Sequence, residues 1–237
     1  MTQQNFLARL TWPAVDRRLK AGAAALLPIG AAAKEHGAHL PMNTDEVQAL
    51  WLSGKLAETF DLLIWPAVTY GHYPAFTDFP GSISLSRPVF GQMLAEVIGG
   101  IAAWRPPAVF ILDTGISTLR PVEDAIASQS WPMPVVHLRI HEGVRYRNCV
   151  RDIRQQPFGS HADEMETSRM LALAPELVDM RKAEATPDGP FDGSLTRVNA
   201  PSGSYGDPTL ATAEKGHALL QAMLDDLRAT ISGTLAR

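Results

Sequence analysis

Four short apolar runs, at residues 23–29, 62–68, 108–112 and 133–138, alternate with helical patterns near residues 46–60, 88–104 and 120–128. Runs of this length suit buried strands, and helices between successive strands imply crossovers that keep the strands parallel. A parallel sheet must be covered on both faces, so the pattern predicts a three-layer α/β fold with a mostly parallel central sheet. Further helices are expected near residues 162–174 and 209–231. In the last, Leu219, Leu220, Met223, Leu224 and Leu227 recur at the spacing of one apolar helix face. The 237 residues suffice for one sizeable core, and with no internal repeat a single domain over residues 1–237 is expected.

In open α/β sheets ligands collect outside the carboxyl ends of the strands. Two polar clusters fall there, residues 34–45 after the first strand and 113–118 after the third, and a third cluster at 159–168 opens a helix. The first is the richest. Gly30 ends the apolar run, and Lys34, Glu35, His36, His39 and Asp45 follow within fifteen residues. A loop that only turned the chain would be built from Gly, Asn and Ser. Imidazole nitrogen and carboxylate oxygen are the ligands of zinc and manganese, so the cluster points to a metal site.

Other function classes find little support. The net charge is −4 and there is no run of Lys or Arg, which argues against a nucleic-acid partner. No apolar stretch approaches the roughly 18 residues of a membrane span, and residues 1–20 lack the apolar centre of a secretory signal. The single cysteine, Cys149, has no base nearby in sequence and suits a reducing compartment; a cytoplasmic protein is expected. Neither a Gly-x-Gly-x-x-Gly turn nor a P-loop is present, so no nucleotide cofactor is expected. Two segments, 69–88 and 185–208, read as long irregular loops, a length that is usually functional or mobile.

The motif Pro-x-Gly-x-x-x-Lys-x-His-Gly-x-His-Leu-Pro-x-x-Thr-Asp at residues 28–45 resembles, with Lys34 as its one exception, the entry motif of the creatininase family of metal-dependent amidohydrolases. Phe79-Pro-Gly-Ser, the His161-Ala-Asp-Glu-Met-Glu166-Thr-Ser helix start and the segment 206–216 resemble further blocks of that family, in the same order. The resemblance implies the creatininase fold, two divalent metals bridged by the aspartate that matches Asp45, and assembly into homo-oligomers such as hexamers. It also implies a metal-ligand glutamate where this chain has Lys34 and a ligand histidine where it has Ile116; a further glutamate of some members falls at Thr118. His36, Asp45 and Glu166 remain as ligands for one divalent ion, with zinc preferred and manganese or iron as alternatives. His161 matches the histidine that protonates the leaving nitrogen, a task suited to imidazole.

Each residue also has a plainer role open to it. His36 and His39 are compatible with a hydrogen-bonded loop, and His39 is expected to orient that loop rather than bind metal. Lys34 is either a surface lysine or an ammonium in the pocket that pairs with Asp45 or stabilises an oxyanion. Glu35 is read as its ion-pair partner or as solvent-facing, not as a ligand. Asp113 is expected to end a strand, with Ser117 and Thr118 lining the pocket or capping the next helix. Tyr70, Tyr73 and Phe76 are read as a substrate wall or as ordinary loop packing. No tryptophan lies within residues 157–168, which disfavours creatinine, because the creatinine enzymes use tryptophans near their catalytic histidine. The expected function is hydrolysis of a C–N bond in a small cyclic or linear amide by a metal-activated water. The alternatives are a degenerate family member that binds a small molecule without hydrolysis, and a metal-free hydrolase or lyase using Lys34 and His161.

Overall fold

A wholly parallel sheet in the order β2-β1-β3-β4 lies between two helical layers in a computed structural model that describes residues 3–187 and 194–237. Its strands are β1 (Ala24–Ile29), β2 (Leu62–Ile64), β3 (Val109–Asp113) and β4 (Val135–Arg139). The helices are α1 (Trp12–Lys20), α2 (Thr44–Leu56), α3 (Arg87–Ala102), α4 (Leu119–Ala127), α5 (Val144–Ile153), α6 (Glu164–Leu173) and α7 (Ala213–Leu235). The chain therefore has the expected α/β architecture.

The two-residue period of each strand divides its side chains between two cores. Leu26, Ile64, Phe110 and Leu112 pack with Leu52 and Leu56 of α2 and with Leu219, Met223 and Leu227 of α7. Leu27, Ile29, Val109 and Ile111 face the other way, onto Phe90, Leu94 and Ile98 of α3 and Val122 of α4. Burying each Leu, Ile or Phe contributes about 1.5–3 kcal/mol, so both faces of the sheet are anchored.

The second apolar run becomes a shorter strand than its length implied. The register pairs Leu26 with Ile64, and continuing it would set Pro28 opposite Pro66. Neither proline has an N–H for the ladder. The chain bulges by one residue there and Val68 rejoins β1 opposite Ile29. Two helices were not anticipated, α1 and α5. No helix among the described residues is long and apolar enough to cross a membrane. Of the loop read at 185–208, residues 188–193 lie outside the described residues.

The helices approach closely where the site is built. A Cβ on Gly216 would fall 1.9 Å from the Ser168 carbonyl oxygen, so only glycine lets α7 press against α6. That contact fixes the start of α6 beside the carboxyl end of the sheet.

Candidate active site

β1 delivers the first polar loop to the carboxyl edge of the sheet, and α2 begins as that loop ends. Gly30 makes the junction tight: a Cβ there would lie 2.5 Å from the backbone oxygen of Asp45. Asp45 is the second residue of α2, and the start of a helix is favourable for a carboxylate. Lys34, His36 and Asp45 are all buried beneath the loop.

His36 has the bonding pattern of a metal-binding imidazole. Its Nδ1 lies 2.9 Å from the Lys34 carbonyl oxygen, to which only an N–H can donate. In the neutral ring that leaves Nε2 as a bare acceptor, and Nε2 faces Asp45 Oδ2 at 3.3 Å. Neither atom has an aligned hydrogen-bond partner. Two acceptors facing each other in a buried site repel unless a proton or a cation joins them. The spacing suits a cation, since two ligands about 2.0–2.1 Å from one tetrahedral zinc ion lie roughly 3.4 Å apart. Glu166 brings an oxygen to the same place: one ligand atom from each of His36, Asp45 and Glu166 falls within 4.8 Å of the others. This donor set fits one divalent ion.

A second cation is already present beside it. The Lys34 ammonium lies 2.8 Å from Asp45 Oδ2 without forming an aligned hydrogen bond, and it sits over the rings of Phe76 (4.8 Å) and Tyr73 (5.6 Å). Burial opposes its charge, but the carboxylates of Asp45, Glu166 and Glu35 outweigh burial and raise the Lys34 pKa above the ordinary lysine value. Burial likewise opposes the Asp45 carboxylate, yet Lys34 and His36 hold it well below the usual range. Glu166 behaves similarly: burial pushes it up, while His36, His161 and Lys34 draw it down to about 2.

His161 stands just before α6, in an isolated bridge with Tyr205. Its Nε2 lies 2.7 Å from Glu35 Oε1 and its ring packs on Phe76 at 4.4 Å. Glu35 therefore neither pairs with Lys34 nor faces solvent: it is buried, holds the His161 ring, and also accepts from the Gly37 N–H. Glu166 has a structural task of its own. Asp163 accepts from the Glu166 N–H while Glu166 Oε2 accepts from the Ala162 N–H, a reciprocal cap of α6. Ala162 has a φ of +45°, so the backbone between His161 and the helix is strained into the left-handed region. Gln48 reaches the other oxygen of Glu166 at 3.4 Å, and the buried Arg169 is held by Gln48 and the Tyr146 hydroxyl.

A cavity of about 720 Å³ opens onto Lys34, Asp45, Phe76, His161 and Glu166. All five expected site residues, Lys34, His36, Asp45, His161 and Glu166, thus meet at one end of the sheet. Others diverge. His39 donates to or accepts from Thr167 Oγ1 at 2.8 Å, away from the acceptor pair, and burial pushes its pKa down to about 4. Tyr70 is about half exposed, Tyr73 is buried under Lys34, and only Phe76 of the three aromatics reaches the cavity wall. Thr118 gives its hydroxyl to Asp113 instead of capping α4, whereas Ser117 lines the cavity and bonds the His72 carbonyl. Asp113 also meets His137 Nε2 at 3.0 Å, a buried pair that ties β3 to β4. Exposed Ile116 also lines the cavity. Sequence reading missed the tie of Glu35 to His161, the Gln48–Arg169 bracket and the arginines of α5. The spacing Asp163-x-x-Glu166 was a usable signal for the cap.

A family profile described as creatinine amidohydrolase (Creatininase) matches residues 8–231. Among curated relatives, the mycofactocin precursor peptide peptidase of Mycolicibacterium smegmatis is 27% identical over 218 residues, covering 84% of this chain and 81% of its own. The creatinine amidohydrolase of Pseudomonas putida is 25% identical over 251 residues, covering 96% of each. The 3-dehydro-scyllo-inosose hydrolase of Thermotoga maritima is 23% identical over 265 residues, covering 98% of this chain and 84% of its own. Among solved structures, one described as "Creatininase Mn" superposes with a TM-score of 0.85 at 21% identity, covering 98% of this chain and 99% of that one.

Proposed function

This chain belongs to the creatininase family, and from that premise we propose that it hydrolyses a C–N bond of a small cyclic or linear amide at a site holding one divalent metal ion. The observation that carries the proposal is the pair of facing acceptors without an aligned hydrogen bond, His36 Nε2 and Asp45 Oδ2, with Glu166 beside them. These three residues would hold the ion, zinc before manganese or iron. When bound, such an ion supplies Lewis acidity and makes a water a competent nucleophile near neutral pH. The structural relative described as a manganese creatininase and another described as a Zn–Zn type are consistent with either metal.

The chain's own residues supply the rest. Lys34 stays charged in a desolvated site and offers its ammonium to the oxygen that becomes negative as the carbonyl is attacked. That is a fixed charge where the family pattern has a metal-ligand glutamate. His161 donates a proton to the departing nitrogen. Glu35 holds the Nε2 edge, which turns the Nδ1 edge toward the site, 3.9 Å from Glu166 Oε2. Phe76 packs on His161 and excludes water from one face of the ring. No tryptophan lines the cavity among the described residues, which supports a substrate other than creatinine. A homo-oligomer, by the family pattern, belongs to the same proposal.

The test is elemental analysis of protein purified without chelator. One equivalent of zinc, manganese or iron is expected, falling below a tenth in His36→Ala. Well under one equivalent in the unaltered protein would sink the metal-dependent reading. The close approach of the Lys34 ammonium to Asp45 favours one rival, a metal-free reaction carried by Lys34 and His161. Amide hydrolysis that survives chelation would select it.

A further inference from the structure

One wall of the cavity is a row of arginines. Arg147, Arg151 and Arg154 come from α5 and the residue that follows it, and all three line the cavity. Their spacing of four and three residues sets them along one helix face, over about 10 Å at 1.5 Å per residue. Lys34 and Arg169 add two more cations to the lining, against the carboxylates of Asp45, Asp163 and Glu166. The cavity is therefore cationic in a chain whose net charge is −4.

Ordinary structural roles leave much of the row unexplained. Cations near the end of a helix complement its dipole, which accounts for Arg151 and Arg154. Arg147 is the fourth residue of α5, where the dipole gives a cation no benefit. Its neighbour Arg145 is neutralised by Asp226 at 3.2 Å, but neither Arg147 nor Arg154 has a carboxylate partner among the described residues. Arg147 donates to the Glu142 carbonyl and Arg154 Nε to the Gln156 carbonyl at 3.0 Å. A guanidinium carries five N–H donors, so each keeps several for a ligand. Arg151 is shared with Asp152 and Asn148.

We propose that the substrate carries an anionic group, a carboxylate or a phosphate, which the Arg147–Arg151–Arg154 row binds while the scissile amide lies over Lys34 and His161. This rests on the hydrolase reading for the amide and on the arginine row alone for the anion. Guanidinium groups bind both oxyanions through paired, charge-assisted N–H bonds. The charge also draws an anionic ligand into the cavity of a negatively charged protein.

Calorimetric titration of inorganic phosphate and, separately, of succinate into protein of known metal content tests the site. The Arg147→Gln/Arg154→Gln double variant is run beside the unaltered chain. Both side chains are exposed, so the variant should keep its metal content and thermal midpoint. Binding of the preferred anion is expected to weaken at least tenfold in the variant, and the tighter of the two anions in the unaltered chain identifies phosphate or carboxylate. Equal affinity in both proteins would place the anion on the metal or Lys34 and overturn the proposal. So would failure of both anions to bind the unaltered chain. A protein that binds anions through the arginines yet holds no metal sinks the hydrolase reading alone. One that holds its metal but binds anions regardless of the arginines sinks only the anion site.

Discussion

A buried imidazole held by a carboxylate carries protons in one fixed orientation, and His161 is held so by Glu35. In Glu35→Gln the amide oxygen still accepts from Nε2–H, so ring position and metal content should persist at the loss of the Gly37 N–H contact, while the negative charge beside the ring is removed. The expected outcome is a fall in kcat of roughly 10²-fold with KM little changed, read from steady-state kinetics. An unchanged kcat would remove His161 from proton transfer. Glu35→Ala should add a loss of about 1–3 kcal/mol of stability, because it strands the ring nitrogen and the Gly37 N–H. The gathering of titratable groups in residues 34–45 and 161–166 was legible in the sequence because each cluster is local. The Glu35–His161 pair was not, since 126 residues separate its members and no spacing rule names a partner at that distance. Lys34 was visible as an odd residue in a familiar motif with Asp45 as one partner open to it, but its seat over two aromatic rings depends on how the loop folds back.

The junction of β1 with α2 matters more to the site than either element alone. Gly30 brings the backbone of Asp45 to within van der Waals contact of the strand end, so strand and helix fix the carboxylate together. Adding one methyl group in Gly30→Ala must push the first turn of α2 outward, because the atoms it meets are backbone. We expect a loss of about 1–3 kcal/mol in urea unfolding, together with a loss of bound metal. Loss of stability with full metal content would separate the helix start from the site. At this scale the four strands were legible because each is a short, uniformly apolar run between helical patterns. The early end of β2 follows from a pairing of two prolines that becomes apparent only once the register is known. α5 carries Tyr146, Cys149, Val150 and Ile153 at helical spacing against the core, a signal diluted by its arginines and asparagine. α1 sets Ala14, Val15 and Leu19 against four charged residues, but it is only nine residues long, opens on Trp12-Pro13 and buries none of its residues, so the pattern was too short to stand out.

The molecule concentrates its buried charge at the carboxyl edge of the sheet, and this sets how the whole chain answers to acid. Burial pushes His39 and His141 each down to about 4, so both stay neutral in the folded chain at pH values where the unfolded chain protonates them. Between their unfolded pKa near 6.5 and about 4 the unfolded state thus binds more protons, and stability falls as pH falls. The depressed carboxylates act later. Glu166 drops to about 2 and Asp45 lies well below the usual range, so their contribution is kept above the unfolded carboxylate pKa near 4 and lost only below it. Asp163 opposes them, because burial raises its pKa and the folded chain gains stability as it takes up that proton. Acid unfolding should therefore begin on the histidine limb, well before the carboxylates titrate. With excess chelator present, so that metal release adds nothing, urea unfolding should show stability dropping from pH 7 to pH 4.5 by up to about 5 kcal/mol for the two histidines together, less what Asp163 returns. His39→Gln should shallow that slope whatever it does to stability at pH 7, since only the removal of a titrating group changes the proton balance. A slope identical to that of the unaltered chain would mean that His39 takes up its proton over the same pH range in the folded chain as in the unfolded one.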